Sequence, residues 1–137
     1  MARRVIRAVL SGSFHKDRKG LQDAYDELVT CGCQVLSPHR LDFDSESTLF
    51  VRDIAEKNVS EEVLEKHHLL SISQADFLWL HVYDGHIGTS TALEIGYAVA
   101  NNIPVFTNMS IEEQPISSFV CVVGSVYKAI GLVSSAR

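Results

Sequence analysis

Glu94 lies in the stretch Asp84-Gly85-His86-Ile87-Gly88-Thr89-Ser90-Thr91-Ala92-Leu93-Glu94-Ile95-Gly96-Tyr97-Ala98. This pattern sets a carboxylate just inside a helix that follows a strand and a glycine-bearing turn, where a nucleotide-handling enzyme would keep its nucleophile. A glutamate near a helix N-terminus is expected to stay ionised, because the dipole favours negative charge there, and an ionised carboxylate can attack an electron-poor carbon. Its alternative is a glutamate that caps or pairs within the fold. Two more acids, Asp76 and Asp84, bracket the apolar run from Phe77 to Val82 and are catalytic candidates by type and place. Both also have an ordinary reading. An aspartate ahead of an apolar strand often binds backbone amides, and Asp84-Gly85 is a common turn dipeptide.

Lys16, Arg18 and Lys19 crowd the turn after the first apolar run, beside Gly12, Ser13 and His15. A small anionic group is expected to be held there, although a solvated helix start would show the same charges. Metal chemistry is not expected. His67 and His68 are adjacent and point to different helix faces, while His81 and His86 straddle a strand end without a third ligand. Cys31 and Cys33 are one residue apart and Cys121 sits in an apolar run, so neither a disulfide frame nor a zinc knuckle is suggested.

The elements that must position these residues follow from hydrophobic periodicity. Val5 to Leu10 reads as a strand ended by Ser11-Gly12-Ser13, and Leu21, Ala24, Tyr25, Leu28 and Val29 then recur at helical spacing up to Gly32. Gln34 to Ser37 is a second strand, stopped by Pro38. From His39 to Val59 neither period holds, and the mixed acids and aromatics there suit a lid or an ordinary surface excursion. Ser60-Glu61-Glu62 reads as a helix start, with serine as cap and acids on the dipole. The run Ala75 to Val82 is a strand buried on both faces. Next come the Glu94 helix, packed through Ala92, Gly96 and Ala100, a strand at Ile103 to Phe106, a fifth around Phe119 to Val123, and a last helix with Val126, Ala129, Ile130 and Val133 inward.

Five strands alternating with four helices predict an α/β three-layer sandwich, a flavodoxin-like parallel sheet of order 2-1-3-4-5 with helices on both faces. Ligands bind such sheets where the strand order reverses. That places Gly12 to Lys16, Asp84 to Thr91 and Glu94 around one crevice.

Composition limits the class. The 137 residues, 46% hydrophobic, suffice for one core, so residues 1–137 are read as one domain. The formal net charge of -5 argues against a nucleic-acid polymer as partner. No apolar run approaches a membrane span and the start leads straight into a strand, so no membrane is expected and a cytoplasmic location is.

Across nearly its whole length the chain resembles the nucleoside 2-deoxyribosyltransferase superfamily, including the deoxynucleoside 5'-monophosphate N-glycosidases. Leu10-Ser11-Gly12-Ser13-Phe14, Gln74-Ala75-Asp76 and Thr91-Ala92-Leu93-Glu94-Ile95-Gly96-Tyr97-Ala98 carry the likeness. It implies cleavage or transfer at the N-glycosidic bond of a nucleoside or nucleotide, with Glu94 attacking the anomeric carbon to form a glycosyl-enzyme, and no cofactor. An oxocarbenium-like transition state needs such a carboxylate beneath it. Asp76 is similar in position to the family acid that contacts sugar hydroxyls or assists the leaving base. The monophosphate branch implies that Gly12, Ser13, His15, Lys16 and a neighbouring subunit's equivalent of Ser117 hold phosphate, in a homodimer or homotetramer whose sites are completed across subunits.

The chain also departs from that pattern. Phe14 replaces an aromatic hydroxyl near the substrate, Gly88 stands six before Glu94 where a serine or aspartate is usual, Ser90 replaces a glycine, and His68 stands where the monophosphate branch carries an acid. Two alternatives stay open. One is a non-catalytic nucleotide-binding sensor module. The other is a phosphoribohydrolase of the cytokinin-activating type, although its proline-glycine-glycine opening is missing.

Overall fold

The structure, a computed structural model, describes residues 4–12, 16–38 and 60–136. Its strands are β1 (Arg7–Gly12), β2 (Gln34–Ser37), β3 (Phe77–His81), β4 (Val105–Thr107) and β5 (Cys121–Val122). The helices are α1 (Arg18–Thr30), α2 (Glu61–Ser73), α3 (Thr89–Ala100) and α4 (Val126–Ser135), with a 3-10 turn at Ile116–Phe119. The strands pair in parallel throughout, in the order β2-β1-β3-β4-β5. This is the flavodoxin-like sandwich the periodicity predicts. The expected lid at 39–59 and the loop residues Ser13, Phe14 and His15 lie outside the described residues.

Alternation along the central strands sorts the core into two layers. Ala8, Leu10, Phe77, Trp79 and Phe106 face α1 and α4, where they meet Leu21, Leu28, Val126 and Ala129. Phe77 and Phe106 meet edge to face at 5.8 Å. Val9, Leu78, Leu80 and Val105 face α2 and α3 and pack on Ile72, Ile95 and Ala98. Coverage on both faces is why β3 reads as an unbroken apolar run. By the same alternation Ser11, two residues after Val9, turns toward α2 and α3 at the carboxyl end of β1.

Side-chain caps fix where helices begin. Asp17 accepts from the Gly20 amide, Ser60 from Val63 and Ser125 from Lys128, satisfying donors that a first turn leaves open. Three expectations shift. β1 runs from Arg7 through Gly12 rather than stopping at Leu10, and Phe119 closes the 3-10 turn instead of opening β5. On α3, Gly96 and Ala100 are exposed, and the stripe on the sheet is Thr91, Ile95 and Ala98. That stripe repeats at i, i+4 and i+7 and offers more apolar surface than the glycine line, so burial selects it. Among the described residues no helix is long and apolar enough to cross a membrane.

Candidate functional site

At the carboxyl ends of β1 and β2, under the paired helices α2 and α3, lies a cluster of polar side chains. Glu94, in the second turn of α3, is only 6% exposed. The His68 ring, also buried, has Nε2 2.9 Å from Ser11 Oγ and Nδ1 2.7 Å from Ser37 Oγ. The Ser11 hydroxyl and the Glu65 carboxyl from α2 both lie against Glu94.

Electrostatics at this cluster run against the expectation of a plain ionised nucleophile. Burial raises the Glu94 pKa well above the usual carboxylate range, the Glu65 hydrogen bond and charge raise it further, and only the Ser11 hydroxyl opposes them. A second carboxyl in contact inside a low dielectric disfavours the charged form of Glu94. The helix N-terminus does not overcome this. His68 is pushed down to about 4 by burial and by the neighbouring His67. Its 3.5 Å approach to Glu94 Oε1 is therefore a contact of a neutral ring with a carboxyl and not an ion pair above that pH. Glu65 Oε1 is buried, and among the described residues no donor reaches it.

Asp76 does not belong to this cluster. It sits ahead of β3 at the amino end of the sheet, where its Oδ2 accepts from the Arg7 amide at 2.8 Å and its Oδ1 from Arg4 Nη2 at 3.0 Å. Arg7 is four residues before Ser11 on β1, about 13 Å along an extended strand. The catalytic expectation for Asp76 is thus corrected in favour of its ordinary reading, an aspartate that satisfies backbone and cation at a strand start. Asp76→Ala is expected to lower unfolding stability by about 2–3 kcal/mol, the worth of charge-assisted bonds whose buried partner is stranded. Urea denaturation checks this.

The remaining expected residues divide. Ser90 and Thr91 lie one turn before Glu94 on α3, Thr91 buried on the same face, and Gly88 is the helix N-cap with no side chain capping it. Asp84 and Gly85 form the tip of a tight turn with φ of 57° and 70°, closed by a bridge between Tyr83 and His86. Glu113 braces that turn, accepting from the Ile87 amide and meeting His86 Nδ1 at 2.8 Å, and the amide holds its carboxylate below the usual range. Asp84 lines a groove of about 360 Å³ beside α1 with Asp17, Asp23, Glu27, Trp79 and His81. That groove faces the α1 layer, across the sheet from Glu94.

In the first loop, Gly12 ends β1 and Lys16 is exposed. The reading of Lys16, Arg18 and Lys19 as an anion cradle passed over Asp17 between them. Asp17 already occupies the Gly20 amide and pairs with His81 Nε2 at 2.9 Å, and those two bonds lower its pKa. Lys19 is bound to Asp23. Ser117 is half-buried in the 3-10 turn, on the α3 side of the sheet.

Glu65, Ser37 and the site role of His68 were not anticipated. Their signal is in α2, where the inward positions 65, 68 and 72 fall at helical spacing but carry Glu and His before Ile. Polar residues on an inward stripe mark a place where function overrides packing. Among the described residues no cluster of His, Cys, Asp and Glu is placed to hold a metal ion. Compared with known proteins, the chain matches no family model and no curated protein.

Proposed function

We propose that the protein breaks the N-glycosidic bond of a nucleoside, deoxynucleoside or nucleoside 5'-monophosphate through attack of Glu94 on the anomeric carbon. The sugar then passes from a glycosyl-enzyme to water or to a second base. One observation carries this reading. Glu94 is a buried carboxyl at the switch point of a parallel sheet, held against a second carboxyl and a neutral imidazole. A carboxyl kept there for stability would have a cation beside it, and this one has another acid.

Two carboxyl groups of unlike protonation are what retaining cleavage of a glycosidic bond requires, and the carboxylate beneath the sugar offsets oxocarbenium charge. The superfamily likeness of the motifs around Ser11 and Glu94 agrees with this chemistry. A homodimer or homotetramer in which a neighbouring copy supplies Ser117 to a phosphate, and a cytoplasmic setting, belong to the same proposal.

A chromatographic screen for free base tests it, using ribo- and deoxyribonucleosides and their monophosphates with Glu94→Ala beside the wild type. Release from at least one class in the wild type and none in the variant is the expected result. Measurable nucleotide binding with no release from any class would replace an enzyme by a sensor module.

A further inference from the structure

Cleavage through Glu94 needs a second group to protonate the departing base, and Asp76, the residue the sequence offers, is at the wrong end of the sheet. Resting on the function proposed above, we propose that Glu65 is that group: it gives its proton to the leaving base as Glu94 bonds to the anomeric carbon. In the second step its carboxylate takes a proton from the water that displaces Glu94.

Placement carries the assignment. In a parallel α/β sheet, α2 runs opposite to the strands and delivers the chain to the amino end of β3, so residues earlier in α2 lie nearer the carboxyl end of the sheet. Glu65 is three residues before His68, about 4.5 Å further toward that end. It therefore meets Glu94 from nearer that end than His68 does. Among the described residues no hydrogen donor reaches its buried Oε1, a state that a donor on an incoming ligand would relieve. His68 cannot take the role, because Ser11 and Ser37 occupy both its ring nitrogens. Among the described residues no other titratable side chain touches Glu94.

The steps balance. In the first, the C–N electron pair leaves with the base, which receives the Glu65 proton, and the sugar carbon gains a bond to Glu94 oxygen. In the second, water oxygen bonds to that carbon, its proton goes to Glu65, and Glu94 departs as a carboxylate. The starting protonation of the pair is restored. Substrate must separate the two carboxyls, since retaining enzymes hold them about 5–5.5 Å apart and here they touch.

The test compares Glu65→Gln with wild type on two substrates, a purine nucleoside and its N7-methylated counterpart, whose cationic base leaves without being protonated. Glutamine matches the shape of a protonated glutamate, and melting curves check folding. Base release from the unmethylated substrate should fall by about 10²–10⁴-fold, the range of general acid catalysis. From the methylated substrate the variant should give a rapid burst of about one equivalent, then a slow phase that added azide accelerates. Azide attacks without needing a base, and the trapped sugar should appear by mass spectrometry on Glu94.

Equal losses on both substrates, with no burst and no azide rescue, would assign Glu65 a structural role and overturn the proposal. Unchanged rates on both would overturn it too. A wild type silent on every substrate would instead remove the glycosidase reading itself, and the role of Glu65 with it, so the two failures are distinguishable.

Discussion

Glu94→Gln is expected to abolish base release and, at pH 8, to make the protein more stable than the wild type. The loss of activity follows from chemistry: an amide oxygen neither displaces the base nor leaves again, and removing a covalent nucleophile costs more than about 10³-fold in turnover. The gain in stability follows from burial. Glu94 faces Glu65 from α2, the neutral His68 and the Ser11 hydroxyl from β1, so among the described residues no cation compensates its charge. Its folded pKa lies above its ordinary value of 4.5. Stability from the protonated form is therefore fully present below about pH 4.5 and is lost as pH rises through the folded pKa.

Glutamine keeps the acceptor for Ser11, offers an N–H to Glu65 and does not titrate. Its advantage should be near zero at pH 4 and grow with pH toward about 1–3 kcal/mol, the scale on which buried, poorly compensated polar groups are penalised. Thermal melts at pH 4 and 8 read this directly, and the shift at pH 8 should be several degrees upward. A variant that is less stable than wild type at both pH values would mean that Glu94 holds the fold together, and the trade of stability for function would be absent.

How much of this was legible in the sequence depends on which physical signal wrote each part. The sheet order and the alternation of strands with helices were legible, because Phe77 to Leu80 carries an unbroken apolar run and Leu21, Ala24 and Leu28 carry a helical period. Ser60 announced its helix as a cap should. The place of Glu94 near the start of a helix after a strand and a glycine-bearing turn was legible, but the company it keeps there was not. Nothing in a one-dimensional pattern shows that a glutamate 29 positions earlier will lie against it. Asp76 was misread because an acid beside a buried strand has the same local sequence at either end of that strand, and only register with β1 decides which end it faces. The charges of Lys16, Arg18 and Lys19 are visible along the chain, but that Asp17 between them occupies the Gly20 amide is visible only in the fold.

Register also predicts that the site will tolerate little change at its floor. Gly12 ends β1 opposite His81 of β3, with φ of 155°, and a side chain there would meet the His81 backbone. A methyl on Gly12 would lie 3.1 Å from the His81 carbonyl carbon and closer still to its oxygen. That neighbour is main chain in a parallel ladder, so it cannot rotate aside as a side chain would. Gly12→Ala must therefore lever β1 away from β3 at its carboxyl end, where Ser11 pairs with Leu80 and Gly12 with His81. Backbone clashes and disallowed conformations of this kind belong to the large tail of mutational effects, about 3 kcal/mol or more. The expected result is a denaturation midpoint lowered accordingly, together with loss of base release in the fraction that remains folded, because Ser11, which lies against Glu94, is the residue next to the clash. By contrast, Gly88→Ala, where an added methyl meets nothing within 4 Å, should leave stability within about 1 kcal/mol. If the two substitutions behaved alike in urea, β1 and β3 would not be held in the register that brings Ser11 under Glu94, and the cluster would have to be rebuilt on a different floor.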